Sequence, residues 1–169
     1  TPFIYYGDEL GTEAPSATDA GYRNVMSWKN APNAGFSPRS AVNGCAPGYQ
    51  SKNVEDELRD PSSILNAYRE TIALRKSLPE YGLGTFVYIP SEKELLVFAV
   101  RTPHRRYLVA VNLSAKEQTI RMAGSGWKKG LDVAEERQVT FTEPGKSAAR
   151  GSAEPGIVKP WELKVSEIN

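Results

Sequence analysis

The spacing of apolar residues changes abruptly at Pro79, and this change constrains the fold more than any other feature of the sequence. Before Pro79, residues 62–78 carry apolar side chains at the 3.6-residue spacing of an amphipathic helix. After Pro79, apolar and polar residues alternate, which is the period of a half-buried strand. The sequence therefore predicts one helix followed by strands. The apolar set of the predicted helix is Ile64, Leu65, Tyr68, Ile72 and Leu78.

The start of the predicted helix at 62–78 carries its own signals. Asp60 is a candidate N-cap, and Pro61 suits the first helical position because its missing N–H would have no partner there. A shorter helical turn is predicted at residues 53–59, with Asn53 as its cap.

The strands predicted after Pro79 favour an antiparallel β-sandwich. They are rich in β-branched and aromatic residues, and turn residues rather than helical segments separate them. Residues 143–156 are rich in Gly, Ala, Pro and Ser and predict a mobile loop between the last strands. The predicted strands lie at 84–89, 94–101, 106–113, 117–122 and 161–168.

The beginning of the chain follows a different pattern. Residues 3–6 are a short apolar run closed by Gly7, which predicts a fully buried strand of a parallel sheet. Residues 11–52 are crowded with Gly, Pro, Ser and Asn and show no period, which is typical of a functional loop or of disorder. A strand at 3–6 without neighbours would either self-associate with another chain or pack irregularly against the helix at 62–78, since its backbone groups need partners.

Composition excludes several classes of function. The chain has 21 Lys and Arg against 20 Asp and Glu, so no net field attracts nucleic acid or an anionic membrane. No apolar run approaches the ~18 residues of a membrane span. One Cys cannot form an internal disulfide, and it is compatible with the cytoplasm or the periplasm. His104 is the single His and lies in a predicted turn, so neither a His metal cluster nor a Ser-His-Asp relay is expected. We therefore expect no metal and no cofactor.

The carboxylates offer no obvious catalytic pair. A glycosidase needs two of them about 5–9 Å apart across a cleft. Asp8 and Glu9 are neighbours at the end of a predicted strand, where successive side chains point to opposite faces, so local capping or ion pairing is the expected role. The acidic residues at 55–60 complement the dipole of a helix start.

Aromatic residues gather in the first third of the chain, interleaved with Arg23, Arg39 and several Asn. Flat rings beside hydrogen-bonding groups suit a sugar, which has one apolar face and a rim of hydroxyls. The same rings could instead pin the loop to a scaffold, and the sequence leaves both interpretations open. The aromatic residues are Tyr5, Tyr6, Tyr22, Trp28, Phe36 and Tyr49.

At this point several ordered motifs are similar to one family. TPFIYYGDELG resembles the eighth barrel strand of the alpha-amylase superfamily, glycoside hydrolase family 13, whose pattern is close to G-x-P-x-x-Y-x-G-x-E. YRNVMSWKNAPNAGFS resembles the R-T-P-M-Q-W…N-A-G-F segment of its alpha-glucosidase and oligo-1,6-glucosidase branch, and it departs from that pattern at Asn24, Val25 and Ser27. NVEDELRDPSSILNAYRETIALRKS resembles the eighth barrel helix region, and PWELKVSEI resembles the last strand of the C-terminal β-sandwich.

The resemblance implies a mixed fold. Residues 1–79 would be the last strand, substrate-side loop and helix of a (β/α)8 TIM barrel, and residues 80–169 an antiparallel β-sandwich domain. The loop residues Arg23, Trp28 and Phe36 would then bind substrate, because barrel active sites are built from the loops after the strands. Tyr6 and Glu9 would form the barrel framework near that site.

The resemblance also implies a retaining hydrolase of alpha-linked glucose oligosaccharides. The family's catalytic Asp, Glu and third Asp stand at barrel strands four, five and seven, which precede the segments matched here. No catalytic residue is carried over, so we expect the chain to be inactive alone and to need the N-terminal barrel portion as a partner.

A second hypothesis is a free-standing carbohydrate-binding or interaction β-sandwich module. It requires an exposed aromatic platform on the strands, whereas strand alternation predicts that most of these rings are core. The candidates are Tyr88, Tyr107, Trp127 and Trp161.

Overall fold

A computed structural model describes residues 2–91, 94–120, 133–140, 157–160 and 162–168. The chain divides into two compact units, Thr1–Arg69 and Glu70–Asn169. The loop predicted at 143–156 and the side chains of Trp127 and Trp161 lie outside the described residues.

Two helices form the regular part of the first unit and the start of the second. α1 spans Val54–Arg59 and α2 spans Ile64–Ser77, so both predicted helical segments are confirmed. Asn53 caps α1 as predicted, because its Oδ1 accepts a hydrogen bond from the backbone N–H of Asp56 at 3.0 Å. In the part of the chain that the structure describes, no helix has the length and apolarity to cross a bilayer.

The N-cap of α2 differs from the prediction. The helix begins at Ile64 rather than at residue 62, and the Ser63 hydroxyl accepts from the backbone N–H of Asn66 at 3.1 Å. Asp60 was the wrong choice of cap, since its Oδ1 accepts from the Ser62 N–H at 2.8 Å and closes a turn before the helix.

The apolar stripe of α2 is less buried than its spacing predicts. Ile64 is 45% exposed and Ile72 is 40% exposed, and only the end of the stripe enters a core, where Leu78 is buried and Leu74 packs beside it.

The strand predicted at residues 3–6 is also wrong. Residues 2–5 have no regular structure, and Asp8–Leu10 form a short 3-10 helix instead of a strand end. A strand exists only through the ladder bonds of a neighbour, and here the Tyr5 N–H donates to Asp8 Oδ2 at 3.0 Å. Phe3 is 96% exposed as a result.

The second unit is built on antiparallel pairs. Five strands form one sheet in the order β1-β2-β3-β7-β5, and β4 pairs with β6 in a separate ribbon. The predicted strands correspond to β1–β4 and β7, while β5 and β6 were missed; residues 121 and 122 of the fourth predicted strand lie outside the described residues. The strands are β1 (Thr85–Ile89), β2 (Leu95–Arg101), β3 (Arg106–Asn112), β4 (Gln118–Thr119), β5 (Val133–Thr140), β6 (Ile157–Val158) and β7 (Glu162–Ile168).

Both faces of the five-stranded sheet are packed. On one face, Val97, Leu108 and their neighbours form a cluster with Val158 of β6. On the opposite face, Val100 and Tyr107 pack with Leu78. The register explains this division, since residues that pair across β2 and β3, such as Val100 and Tyr107, share a face.

A buried asparagine ties the ribbon to the sheet. The Nδ2 of Asn112, at the end of β3, donates to the carbonyls of Lys116, Val158 and Lys159 at 2.7–3.1 Å. Its Oδ1 accepts from the Ser114 N–H at 2.9 Å. This network joins the end of β3 to backbone groups at and beside β6.

We predict that Ser63→Ala destabilises the first unit. Its hydroxyl accepts from the Asn66 N–H and also donates to the Glu57 carbonyl at 2.8 Å, so the substitution removes both hydrogen bonds. The free energy of unfolding should fall by about 1–2 kcal/mol, measured by chemical denaturation. Ser62→Ala, at an exposed neighbour, is the control, and an equal loss in both variants would contradict the assignment of the cap.

A second prediction concerns pH. Burial raises the pKa of the Glu57 carboxyl, whose Oε2 accepts from the Leu65 N–H at 3.0 Å. A raised folded pKa contributes stability below the unfolded value of about 4.3, and that contribution is lost as pH rises through the folded pKa. Glu57→Gln should therefore melt above the parent at pH 7 and level with it below about pH 4. Parallel curves for parent and variant across this range would refute the prediction.

Candidate functional site

The segment that carries Ser27 and Trp28 is held by the N-terminus of α1. The first N–H groups of a helix have no partner within the helix. Here the Val54 N–H donates to the Ser27 carbonyl and the Glu55 N–H to the Trp28 carbonyl, both at 3.0 Å. With Asn53 capping the next N–H group, the first turn of α1 is satisfied, and the loop is fixed to it.

A compact turn holds the same segment from the other side. Asn33, Ala34 and Gly35 adopt left-handed backbone angles, with φ of 56°, 55° and 69°. This turn aims the Ala34 carbonyl at the N–H groups of Trp28 and Lys29, at 2.9 and 3.2 Å. Ala34 has no exposed surface, so its methyl group is packed as well.

A pocket of about 130 Å³ opens beside this segment in the first unit. Its rim carries three tyrosines that are each about half exposed, and the rings of Tyr5 and Tyr6 lie 4.5 Å apart at 39°. The volume is below the roughly 300–1,000 Å³ of drug-sized sites. The lining is Tyr5, Tyr6, Gly7, Asp8, Thr12, Glu13, Ala14, Gly21, Tyr22, Asn24, Val25, Met26 and Ser27.

Two buried residues of that lining carry polar atoms without a partner. Asn24 is 7% exposed and Ser27 is 2% exposed. Neither Asn24 Oδ1 nor Ser27 Oγ has a hydrogen-bond partner among the described residues. Such orphaned atoms are unusual, because burying an unpaired polar group costs about 1–3 kcal/mol.

The carboxylates near the pocket form hydrogen bonds or an ion pair with groups close to them. Asp8 accepts from the Tyr5 N–H, as described above, and Glu9 Oε2 accepts from the Gly7 N–H at 2.8 Å, so both carboxylates bind nearby backbone groups. Glu13 Oε1 lies 2.6 Å from Lys52 Nζ, and that hydrogen bond lowers the pKa of Glu13. A general acid needs a raised pKa. The pKa of Glu13 is lowered, so this carboxyl does not suit that role.

Of the five site residues expected from the sequence, one lines this pocket. Tyr6 lines the pocket, whereas Arg23, Trp28, Phe36 and Glu9 are not among its lining residues. Trp28 and Phe36 are 48% and 52% exposed.

Arg23 is oriented by Asp19, which lies four residues earlier in the sequence. Its Nε and Nη2 donate to Asp19 Oδ1 at 3.1 and 3.0 Å, and this contact raises the pKa of Arg23. The positive charge of Arg23 acts on Tyr6, where it partly offsets the hydrogen bond with Tyr5 that raises the pKa of Tyr6. Arg23 therefore influences the pocket through its charge.

The candidate residues of the second unit that the structure describes are His104, Tyr107 and Tyr88. His104 lies in the β2–β3 turn, largely exposed as predicted, and its Nδ1 is 2.9 Å from Glu80 Oε1. Tyr107 is buried, and its hydroxyl donates to the Pro79 carbonyl at 2.8 Å. Tyr88 is 58% exposed on β1. Among the described residues no three His, Cys, Asp or Glu side chains gather as a metal site.

Residues 1–82 match the family model of the alpha amylase catalytic domain. The probable oligo-1,6-glucosidase 2 of Bacillus subtilis (strain 168) is 27% identical, and the match covers 71% of this chain and 28% of that protein. The glucan 1,6-alpha-glucosidase of Streptococcus pneumoniae serotype 4 is 29% identical over 86% of this chain and 25% of its own length. The chain thus spans about a quarter of these relatives.

Solved structures resemble the chain over its full length. The trehalulose synthase MutB from Pseudomonas mesoacidophila MX-45 superposes with a TM-score of 0.74 at 22% identity, covering 100% of this chain and 36% of that one. At this identity the likeness concerns the fold alone.

We predict that Gly35→Ala disrupts the turn beside Trp28. An added Cβ would lie 2.6 Å from Lys29 Cγ, and Gly35 has a φ of +69° that an alanine adopts only with strain. Unfolding should become easier by about 1–3 kcal/mol, and the fluorescence of the half-exposed Trp28 should shift. Gly82→Ala is the control, since its Cβ would meet open space. Equal stability of the two variants would contradict the role of the turn.

Proposed function

Because its first 82 residues belong to the alpha-amylase family, we propose that this chain forms the sugar-side portion of a glycoside hydrolase that acts on alpha-glucosidic bonds. The observation that carries the proposal is the aromatic pocket within the family-matched residues, beside the loop of Trp28. Tyrosine rings over buried polar groups suit a ring that has one apolar face and many hydroxyls.

Catalysis is proposed to depend on carboxylates supplied by another part of the enzyme. A retaining glycosidase uses two carboxyl groups about 5–5.5 Å apart, one a nucleophile and one an acid with a raised pKa. Asp8, Glu9 and Glu13 are held by local hydrogen bonds, and Glu13 has a lowered pKa. The carboxyl with a raised pKa that lies nearest in sequence, Glu57, accepts from Leu65 and does not line the pocket. This chain therefore positions sugar rather than cleaving it.

The barrel portion that would carry those carboxylates is the proposed partner. Phe3 and Ile4 are 96% and 50% exposed, and Ile64 and Ile72 of α2 are also open to solvent. Apolar residues that would line a barrel wall gain burial only when neighbouring strands and helices cover them. We propose residues 1–79 as the barrel contribution and residues 80–169 as a C-terminal β-sandwich-type domain. Self-association through residues 3–6 is the competing way to cover Phe3 and Ile4.

Arg23, Trp28 and Phe36 are proposed to contact the sugar, with Tyr6 and Glu9 as their framework. Trp28 offers an exposed ring on a segment fixed from both sides, which lowers the entropy lost on binding. Arg23 is held by Asp19, so its remaining N–H groups keep a defined direction toward a hydroxyl-bearing ligand.

A second candidate function rests on the second unit. Phe86 and Tyr88 are each more than half exposed on β1, and they point to the same face because they are two residues apart. Two adjacent rings on a sheet surface are the platform that a carbohydrate-binding module requires.

We predict weak, millimolar binding of isomaltose to the purified chain and no release of glucose from it. Trp28→Ala should weaken binding at least fivefold in a saturation-transfer NMR titration, because the ring supplies much of the contact area. Tyr88→Ala is the matched control and should bind like the parent. The opposite dependence would favour the binding-module function, and glucose release by the chain alone would refute the proposed division of catalysis.

A further inference from the structure

One exposed turn of the first unit places an asparagine directly before a glycine. Residues 41–44 form this turn, in which the Gly44 N–H donates to the Ala41 carbonyl at 3.2 Å. Val42 is 100% exposed, and Asn43 beside it is also exposed. Asn43 is the one asparagine of the sequence that a glycine follows. The turn therefore presents to water an asparagine whose side-chain carbonyl the next backbone nitrogen can attack.

The glycine matters because it leaves that backbone nitrogen uncovered. Any other residue would carry a Cβ beside the nitrogen, and glycine has none. Gly44 has a φ of +74°, and a Cβ built on it would meet no atom of the described residues within 4 Å. The hydrogen bond to Ala41 lies at the long end of the usual range of about 2.7–3.2 Å, so it restrains the nitrogen only weakly.

The reaction open to this pair is loss of the side-chain amide. The Gly44 nitrogen gives its proton to hydroxide and attacks Asn43 Cγ, and the new C–N bond closes a succinimide ring. The amide nitrogen of Asn43 takes up a proton and leaves as ammonia. Water then opens the ring at one of its carbonyls. Cleavage at Cγ restores the main chain with aspartate, whereas cleavage at the backbone carbonyl gives isoaspartate, in which the main chain runs through Cγ and is one carbon longer.

Residue 44 is also where the turn is joined to the rest of the first unit. The Val25 N–H donates to the Gly44 carbonyl at 3.2 Å, and Val25 forms a parallel bridge with Cys45. Val25 lines the pocket, so this hydrogen bond holds one part of the pocket wall. A carbon inserted into the main chain before Gly44 displaces the carbonyl that accepts this bond. The reaction also adds one negative charge, which changes the formal net charge from +1 to 0.

We propose that Asn43 is a site of spontaneous deamidation, at which water converts the side chain to aspartate and isoaspartate, and that the isoaspartate form breaks the hydrogen bond between Val25 and Gly44. Water is the co-reactant, and neither an enzyme nor a cofactor takes part. The inference goes beyond the proposed function, because the reaction needs neither a sugar nor the catalytic carboxylates.

The test incubates the purified chain in mildly alkaline buffer and follows its tryptic peptides by mass spectrometry. Trypsin releases residues 40–52, which contain Asn43, and residues 30–39, which contain the exposed Asn30 followed by alanine. Asn43 should lose its amide at least about tenfold faster than Asn30, because only Asn43 precedes a nitrogen without a neighbouring Cβ. Electron-transfer fragmentation distinguishes isoaspartate from aspartate in the product.

Thermal unfolding measures the effect on the structure. The converted parent should melt about 2–4 °C lower, the effect of losing one backbone hydrogen bond in a chain of this size. Asn43→Gln is the matched control and should keep its melting temperature through the same incubation, because its longer side chain closes the ring far more slowly. Asn43→Asp carries the added charge on an unchanged main chain and should melt like the fresh parent, so it separates charge from chain length.

Three results would overturn the inference. If Asn43 is converted in the urea-unfolded chain but not in the folded chain, the turn protects it. If Asn30 is converted as fast as Asn43, the glycine has no special role. If the converted parent melts like the incubated Asn43→Gln variant, the longer main chain leaves the Val25 hydrogen bond intact. The proposed function stands or falls independently of all three.

Discussion

The site of this protein depends on the way the first turn of α1 uses its free N–H groups. A helix start normally turns these groups toward water or a capping side chain. Here two of them, from Val54 and Glu55, hold the carbonyls of Ser27 and Trp28. A short helix of six residues thereby fixes a segment more than twenty residues earlier in the chain, and the pocket, the exposed indole and the Ala34 turn are all arranged around that contact.

The hydrogen bonds of the first unit explain why a region with so little regular structure can carry a site. Asp8, Glu9 and Glu13 satisfy backbone groups or a lysine nearby, so their charges stabilise the loop and are not free to react. Among the described residues of the first unit, the buried side-chain atoms left without a hydrogen-bond partner are Asn24 Oδ1 and Ser27 Oγ.

The sequence predicted the elements whose signals are local. Asn53 was identified as a cap because an asparagine before an acidic helix start is a short-range pattern. Ser63 was missed as the cap of α2, because Asp60 and Pro61 offer an equally good signal three residues earlier and only tertiary contacts with Glu57 decide between them. The strand expected at 3–6 failed for a related reason, since an apolar run forms a strand only where a neighbour is present. The unpaired Asn24 and Ser27 atoms could not be predicted from the sequence, because the pairing of a polar atom depends on what folds around it.

The order of strands in the sheet has a consequence for how the second unit is made. β7 lies between β3 and β5, although it is the last of the described strands, and β3 precedes it by about fifty residues. The β1–β2–β3 meander closes through short connections, whereas β7 pairs with β3 across about fifty residues, and a larger sequence separation costs more conformational entropy. During synthesis on the ribosome, the β1–β2–β3 meander emerges first. The edge of β3 that pairs with β7 stays unpaired until β7 has emerged. Chaperone demand should accordingly be concentrated in that interval, and mutations in β7 should lower the yield of folded protein more than equally buried changes in β2.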